Sequence, residues 1–144
     1  MKRLTLVLVM LAASVAFAVS ALAARATITP VQQVALSIKS DTEHARKGPD
    51  GKWHDAYLPA AFTVHAGSTV KVTIANYDPA VHTFTSSRLG LDVKVAPGSA
   101  SRPHLTTFTF TAPRRGSYTW VCLGQCDNWA MTHRGYMTGV VRVV

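Results

Sequence analysis

The residues best suited to chemistry lie close together near the C-terminal end of this 144-residue chain. Both cysteines, Cys122 and Cys126, are followed a short distance later by His133 and Met137. Thiolate, imidazole and thioether together favour copper over hard cations. The group lies between two β-like runs, residues 117–122 and 139–144. The sequence therefore predicts a copper-binding loop between two strands.

The two cysteines also admit other interpretations. In an oxidising compartment, a Cys122–Cys126 disulfide is the first alternative. It would close a very short loop, and the entropic gain would be small. Zinc bound by cysteine and histidine is a second alternative. Because the neighbouring residues are themselves ligands, metal ligation explains the pair better than a structural disulfide.

One further ligand is expected upstream. His82 begins an extended segment shortly after residues 76–79, a turn-forming stretch that interrupts the strand pattern. It is the strongest upstream candidate. Met131 competes with Met137 for a weak axial position. The remaining histidines are interpreted as non-ligands, either in a polar insertion or in exposed connections: His44, His54, His65 and His104.

The elements that would position these residues are short and alternate apolar with polar residues. About seven such segments, spaced 8–15 residues apart, predict an antiparallel β-sandwich or barrel. The alternating segments lie near residues 31–40, 62–64, 70–74, 91–95, 106–110, 118–122 and 140–144, and residues 82–84 resume extended structure between them. Segments 62–64 and 70–74 are expected to form a hairpin or a close relative of one. Residues 41–59 are polar and turn-rich, and residues 128–132 are the only candidate helical turn.

At this point the sequence resembles the cupredoxin family. The resemblance rests on the ordered features Phe62-Thr-Val-His-Ala-Gly, then His82-Thr-Phe84, then Gly116-x-Tyr-x-Trp-x-Cys122, and it covers most of residues 24–144. It implies a Greek-key β-sandwich with a copper site at one pole. His82 and His133 would be imidazole ligands, Cys122 the thiolate and Met137 the axial ligand.

The second cysteine makes the loop similar to the dinuclear Cu-A centre of cytochrome oxidase subunit II and nitrous-oxide reductase. That resemblance implies that Cys122 and Cys126 bridge two copper ions, with the Gly124 carbonyl as an additional ligand. In the Cu-A pattern three residues separate the second cysteine from the histidine, and here there are six. A mononuclear site, with the second thiol as a co-ligand or unused, therefore stays open beside the dinuclear one.

The N-terminus predicts export. Lys2 and Arg3 precede an apolar run, residues 4–22, and Ala21-Leu-Ala23 matches a cleavage site, so residues 1–23 are interpreted as a signal peptide. The mature domain would be residues 24–144, periplasmic or extracellular. The alternative is a membrane anchor formed by residues 4–22.

Charge narrows the range of partners. The formal net charge is +8, but the basic residues are scattered and no helix is predicted to carry them, so nucleic-acid binding is not expected. A basic exported protein is better suited to an acidic or membrane-bound redox partner.

The leading functional hypothesis is a copper protein that carries electrons without bond chemistry of its own. No nucleophile–histidine–acid pattern or carboxylate pair is apparent, and the chain contains only seven acidic residues, so an enzyme is not expected. The alternatives are a copper chaperone or storage protein, and a metal-free structural sandwich with a disulfide.

Overall fold

The computed structural model describes residues 30–124 and 126–144. The predicted signal peptide, residues 1–23, lies outside this part. Among the described residues, no helix has the length and apolar character needed to cross a membrane. The described strands and the short helix are β1 (Gln32–Lys39), β2 (Arg46–Lys47), β3 (Trp53–His54), β4 (Ala56–Leu58), β5 (Ala61–Val64), β6 (Thr69–Asn76), β7 (His82–Ser86), β8 (Leu91–Val95), β9 (His104–Thr111), β10 (Gly116–Val121), α1 (Asn128–Thr132) and β11 (Thr138–Val143).

Two sheets form the β-sandwich that the sequence predicts. One has the strand order β4-β1-β6-β9 and the other β5-β11-β10-β7-β8, while β2 and β3 form a separate ribbon. The pairs β1–β6 and β5–β11 are parallel, and the other pairs are antiparallel. The all-β class is confirmed, but the pairing is mixed rather than purely antiparallel, and the described part has more strands than the seven expected.

The core lies between the two sheets and is centred on aromatic rings. Alternate residues of β6 point inward and are buried, as period-two patterning requires. Trp120 of β10 is fully buried, and its ring centroid lies 4.7 Å from those of both Phe84 and Tyr57. The hydroxyl of Tyr57 donates a hydrogen bond to the carbonyl of Thr83 at 2.9 Å. Close aromatic packing thus fixes β10 against β7, the two strands that lead to the ligand residues.

The prediction that segments 62–64 and 70–74 form a hairpin is wrong. β5 pairs with β11 in one sheet, and β6 pairs with β1 and β9 in the other. Residues 65–68 therefore connect the two sheets, with Ser68 Oγ donating to the His65 carbonyl at 2.6 Å. Alternation predicts which face of each strand is buried, but it cannot distinguish a tight turn within one sheet from a corner between two.

The polar insertion is more ordered than a loop. Residues 41–59 contain β2, β3 and β4, and β4 extends the four-stranded sheet by pairing with β1. Tyr57 and Ala56 of β4 belong to the buried core. The insertion therefore contributes a sheet edge and core side chains, although its sequence is dominated by turn formers.

Candidate metal centre

Three of the predicted ligands converge at one end of the sandwich. The Nδ1 atom of His82 lies 3.0 Å from Cys126 Sγ and 3.7 Å from Cys122 Sγ, and the two sulfurs are 2.6 Å apart. One ligand atom from each of the three residues lies within 4.8 Å of the others. His82 and Cys122 are buried and Cys126 is partly buried; both cysteines are free. Among the described residues, no other group of three or more histidine, cysteine, aspartate or glutamate side chains converges in this way.

Strand pairing explains why residues forty positions apart meet. β7 and β10 are antiparallel neighbours, paired through Thr85 and Val121, so the start of β7 lies beside the end of β10. His82 opens β7 and Cys122 directly follows β10. Two hydrogen bonds fix this junction: Thr83 N–H donates to Cys122 Sγ at 3.4 Å, and Leu123 N–H donates to Thr83 Oγ1 at 2.8 Å.

Gly124 allows the loop to pass close to β7. A Cβ atom at this position would lie 2.6 Å from the Val81 carbonyl oxygen and 3.6 Å from Cys122 Sγ. The first distance is shorter than any ordinary contact, so a side chain here would displace the loop. The carbonyl of Gly124, expected from the Cu-A resemblance to face the metal, accepts the Cys126 N–H at 3.0 Å in this structure.

Asp78 orients His82, and it is not among the site residues predicted from the sequence. The Nε2–H of His82 donates to Asp78 Oδ2 at 2.8 Å, and both side chains are buried. Asp78 is itself fixed, since its Oδ1 accepts Ala80 N–H and its own N–H donates to Asn76 Oδ1. In the neutral imidazole, whose proton is on Nε2, the Nδ1 lone pair faces the two sulfurs. This carboxylate–imidazole arrangement is the usual support of a metal-binding histidine. The signal available was an aspartate four residues before a candidate ligand.

The electrostatics favour one thiolate in the pair. The hydrogen bond with Cys126 holds the pKa of Cys122 well below its usual range, with further help from His82 and the Thr83 N–H. The same hydrogen bond raises the pKa of Cys126. Burial lowers the pKa of His82, but hydrogen bonds with Cys122 and Asp78 more than offset this, and the net shift is upward. A thiolate stabilised before metal binding is a ready soft ligand.

Met137 lies next to this group in the fold. It is fully buried, its carbonyl accepts the Cys122 N–H at 2.8 Å, and its N–H donates to the Ala130 carbonyl at 3.3 Å. The competing Met131 is partly buried and packs against the core from α1. The backbone therefore ties Met137 directly to a candidate ligand.

His133 lies apart from the three converging residues. Its ring is exposed and stacks on Trp129, with centroids 3.6 Å apart, and its Nδ1–H donates to the Trp129 carbonyl at 2.7 Å. The described structure thus brings His82, Cys122 and Cys126 together and leaves His133 facing solvent.

The polar insertion holds the ligand loop from outside. His54 of β3 is buried and hydrogen-bonds Asp127 Oδ2 at 2.6 Å through Nδ1 and Asp50 through Nε2. Asp127, next to Cys126, also caps α1 by accepting the Trp129 and Ala130 N–H groups. Burial lowers the pKa of His54, but its hydrogen bonds with Asp127 and Asp50 raise the pKa by a larger amount, so the net shift is upward.

Aromatic stacking reinforces this clamp. The ring of Trp129 lies between His54, at a centroid distance of 3.9 Å, and His133. Tyr136 packs edge-on against Trp129 at 4.9 Å. Both ring nitrogens of His54 hydrogen-bond to carboxylates, and this structural role cannot be predicted from the sequence, because no local pattern links His54 to a residue 73 positions away.

A family model described as "Cupredoxin-like domain" matches residues 6–132. The chain therefore belongs to the cupredoxin-like domain family, and its β-sandwich and the position of its His/Cys/Cys group are those expected from that resemblance. No functionally curated protein sequence matches the chain.

Solved structures with a similar fold are distant in sequence. The periplasmic domain of cytochrome oxidase subunit II from Bradyrhizobium japonicum has a TM-score of 0.51 at 16% identity, covering 81% of this chain and 88% of that one. Auracyanin from Roseiflexus castenholzii has a TM-score of 0.50 at 18% identity, covering 78% and 97%. A laccase from Pediococcus acidilactici has a TM-score of 0.57 at 17% identity, covering 79% of this chain but only 26% of the laccase. At these identities the likeness concerns the fold alone.

Proposed function

We propose that this protein binds copper through His82, Cys122 and Cys126 and carries electrons outside the cytoplasm. The observation that carries the proposal is the convergence of one imidazole and two thiols, within 4.8 Å, at the pole of a cupredoxin-like sandwich. Two sulfurs and one nitrogen fit a soft or borderline metal ion and do not suit Mg²⁺ or Ca²⁺. When bound, copper would supply a one-electron redox centre.

The chain's own residues prepare this site. Asp78 keeps the His82 proton on Nε2, so that Nδ1 is available as a ligand. Hydrogen bonding stabilises Cys122 as the thiolate. The rigid junction of β7 and β10 keeps these donors in place, which suits electron transfer because little rearrangement would accompany a change of oxidation state.

Met137 and His133 are proposed as the remaining ligands on different grounds. The backbone hydrogen bond from Cys122 N–H to the Met137 carbonyl supports Met137 as the weak axial donor. His133 would have to leave its stack on Trp129 and exchange the bond to the Trp129 carbonyl for the metal. Replacing His133 by Ala tests this directly: altered absorption of the copper form supports ligation, and an unchanged spectrum leaves His133 as a surface residue.

The first experiment is a copper titration of the reduced, purified protein, followed by its visible spectrum and a metal count. We expect intense thiolate-to-copper absorption that is lost in Cys122→Ser and His82→Ala and retained in the control His104→Ala, which changes an exposed histidine. Two ions per chain would indicate a dinuclear centre. One ion, with colour retained in Cys126→Ser, would indicate a mononuclear centre. Absence of copper uptake by protein with both thiols reduced would refute the proposal.

A copper chaperone or storage role is the second candidate. It is favoured by the presence of two free thiols against a single converging imidazole, since sulfur-rich sites prefer Cu(I). A colourless protein that binds only Cu(I) and releases it rapidly to a competing chelator would support copper handling. A reversible Cu(II)/Cu(I) couple at a stable potential would support electron transfer.

The remaining expectations are also part of the proposal. A redox partner that is acidic or membrane-bound suits the basic domain formed by residues 24–144, whose formal net charge is +6, the +8 of the whole chain less Lys2 and Arg3. Export through residues 1–23 would bring the domain to such a partner. The electron-carrier function and the redox partner both depend on the outcome of the copper titration. Fractionation of cells that express the full chain would test whether the protein is exported.

A further inference from the structure

A second concave site lies on the outer face of the five-stranded sheet. A pocket of about 560 Å³ is bounded by residues of β5, β10 and β11 and by the segments 45–46, 58–60 and 134–135. Cross-strand register places Ala61, Val140 and Thr119 in one row, and these form part of its floor. Its volume is within the range of small-molecule sites, about 300–1,000 Å³.

Three arginines from separate parts of the chain line this pocket: Arg46 of β2, Arg134 after α1 and Arg142 of β11. None of the seven acidic residues of the protein lines this pocket. Within the described residues every ion pair involves a histidine, so none of these guanidinium groups is paired with a carboxylate. The site therefore carries a concentrated positive charge that the chain itself does not neutralise.

One of the arginines is held in place before any ligand binds. The guanidinium of Arg46 donates a hydrogen bond to the Gly135 carbonyl and lies 5.2 Å from the centre of the Tyr136 ring. Fixing a guanidinium in this way reduces the entropy lost when it binds an anion. The planar fork of arginine binds a carboxylate through two parallel hydrogen bonds.

Most of the remaining lining is apolar, and Thr119 and Thr138 are its only uncharged polar side chains. Leu58, Pro59, Ala60 and Ala45 form a wall beside Val140 and Ala61. A small inorganic anion would leave this surface uncovered, whereas a molecule with an anionic head and an apolar tail would occupy both parts. We propose that the pocket binds a small organic monocarboxylate with a medium-length apolar tail. This site shares none of its lining residues with His82, Cys122 or Cys126, so the proposal stands independently of copper.

The test uses copper-free protein and sodium octanoate, with binding measured by calorimetry and by amide chemical shifts in NMR spectra. We expect one site, with shifts centred on residues 58–61 and 134–142. Hexanoate should bind about 15-fold more weakly, because it is shorter by two methylene groups and each buried methylene contributes about fourfold. Neutral 1-octanol and inorganic phosphate should each bind at least about tenfold more weakly than octanoate, since each lacks one half of the recognition.

Variants separate recognition from adsorption. Arg134→Gln and Arg142→Gln should each weaken octanoate binding about tenfold or more, and the matched control Arg115→Gln, an exposed arginine outside the pocket, should not. Ala61→Phe, on an exposed strand position, should block the apolar part. Equal affinity for octanoate and octanol, equal affinity for phosphate, equal loss in all arginine variants, or no binding at millimolar octanoate would each overturn the proposal.

Discussion

Replacing Asp78 by Asn tests the positioning of the copper ligand most directly. The carboxylate accepts His82 Nε2–H through one oxygen and Ala80 N–H through the other, so both oxygens are used. An asparagine offers a single acceptor oxygen, and one of these two N–H groups must then face an NH₂ group. If the NH₂ group faces His82, the ring proton is expected to move to Nδ1, the atom that faces the two sulfurs.

The size of the effect follows from the role of the carboxylate. Loss of a partner that orients a metal-binding histidine weakens metal affinity about 10–100-fold, which corresponds to about 1.4–2.7 kcal/mol. The matched control is Asp92→Asn on the neighbouring strand β8, whose carboxylate is exposed and accepts only from Thr85 Oγ1 among the described bonds. It should leave copper affinity unchanged.

Two measurements decide the outcome. Competition with a chelator of known affinity gives the copper dissociation constant, and long-range nitrogen–proton NMR of the copper-free protein gives the His82 tautomer. The two should change together in Asp78→Asn. Wild-type affinity with a displaced tautomer, or weakened affinity with the tautomer still on Nε2, would refute the argument that Asp78 acts by fixing the proton.

Three further predictions concern the scaffold of the site. Gly124→Ala should lower copper affinity at least tenfold and stability by about 1–3 kcal/mol, because the new methyl group meets a backbone oxygen at 2.6 Å; copper and urea titrations of wild-type strength would contradict this. His54→Ala should destabilise the protein by about 1–3 kcal/mol, because Asp127 Oδ2 loses its hydrogen bond to His54 Nδ1 while Oδ1 keeps its bonds to α1. Since the pKa of His54 is raised above 6.5, its contribution is fully present below pH 6.5 and declines as the pH rises through the raised value; unfolding at pH 5.5 and 8.5 should therefore differ more in wild type than in His54→Ala. Gly139→Ala should prevent stable folding, because its Cβ would overlap the carbonyl oxygen of Ala60, and a soluble variant with a native thermal midpoint would disprove this prediction.

Strand alternation predicted most of the sandwich because side-chain direction repeats every two residues in any strand. The segments near residues 70–74, 91–95 and 106–110 all lie within observed strands, and residues 128–132 form the helix α1. The same pattern could not identify sheet partners. Alternation alone predicts a hairpin of β5 and β6, which belong to opposite sheets, because pairing depends on contacts distant in sequence.

The candidate site divides in the same way. His82, Cys122 and Cys126 could be selected from residue chemistry, and the structure brings them together. The choice of His133 rested on sequence order after the cysteines, whereas in the fold its ring stacks on Trp129 at the surface. Sequence proximity limits how far a loop residue can be from a site but does not determine the direction of its side chain.

The amino-acid sequence specifies the chemistry available to this protein: a β-rich chain with soft ligands between its last two strands and a net positive charge. The residues that support this chemistry depend on the fold. Asp78 orients His82 from four residues upstream, and His54 contacts Asp127, 73 positions away, and so holds the ligand loop. Donor type is a property of each residue, whereas hydrogen-bond partners and burial depend on which segments the fold places side by side.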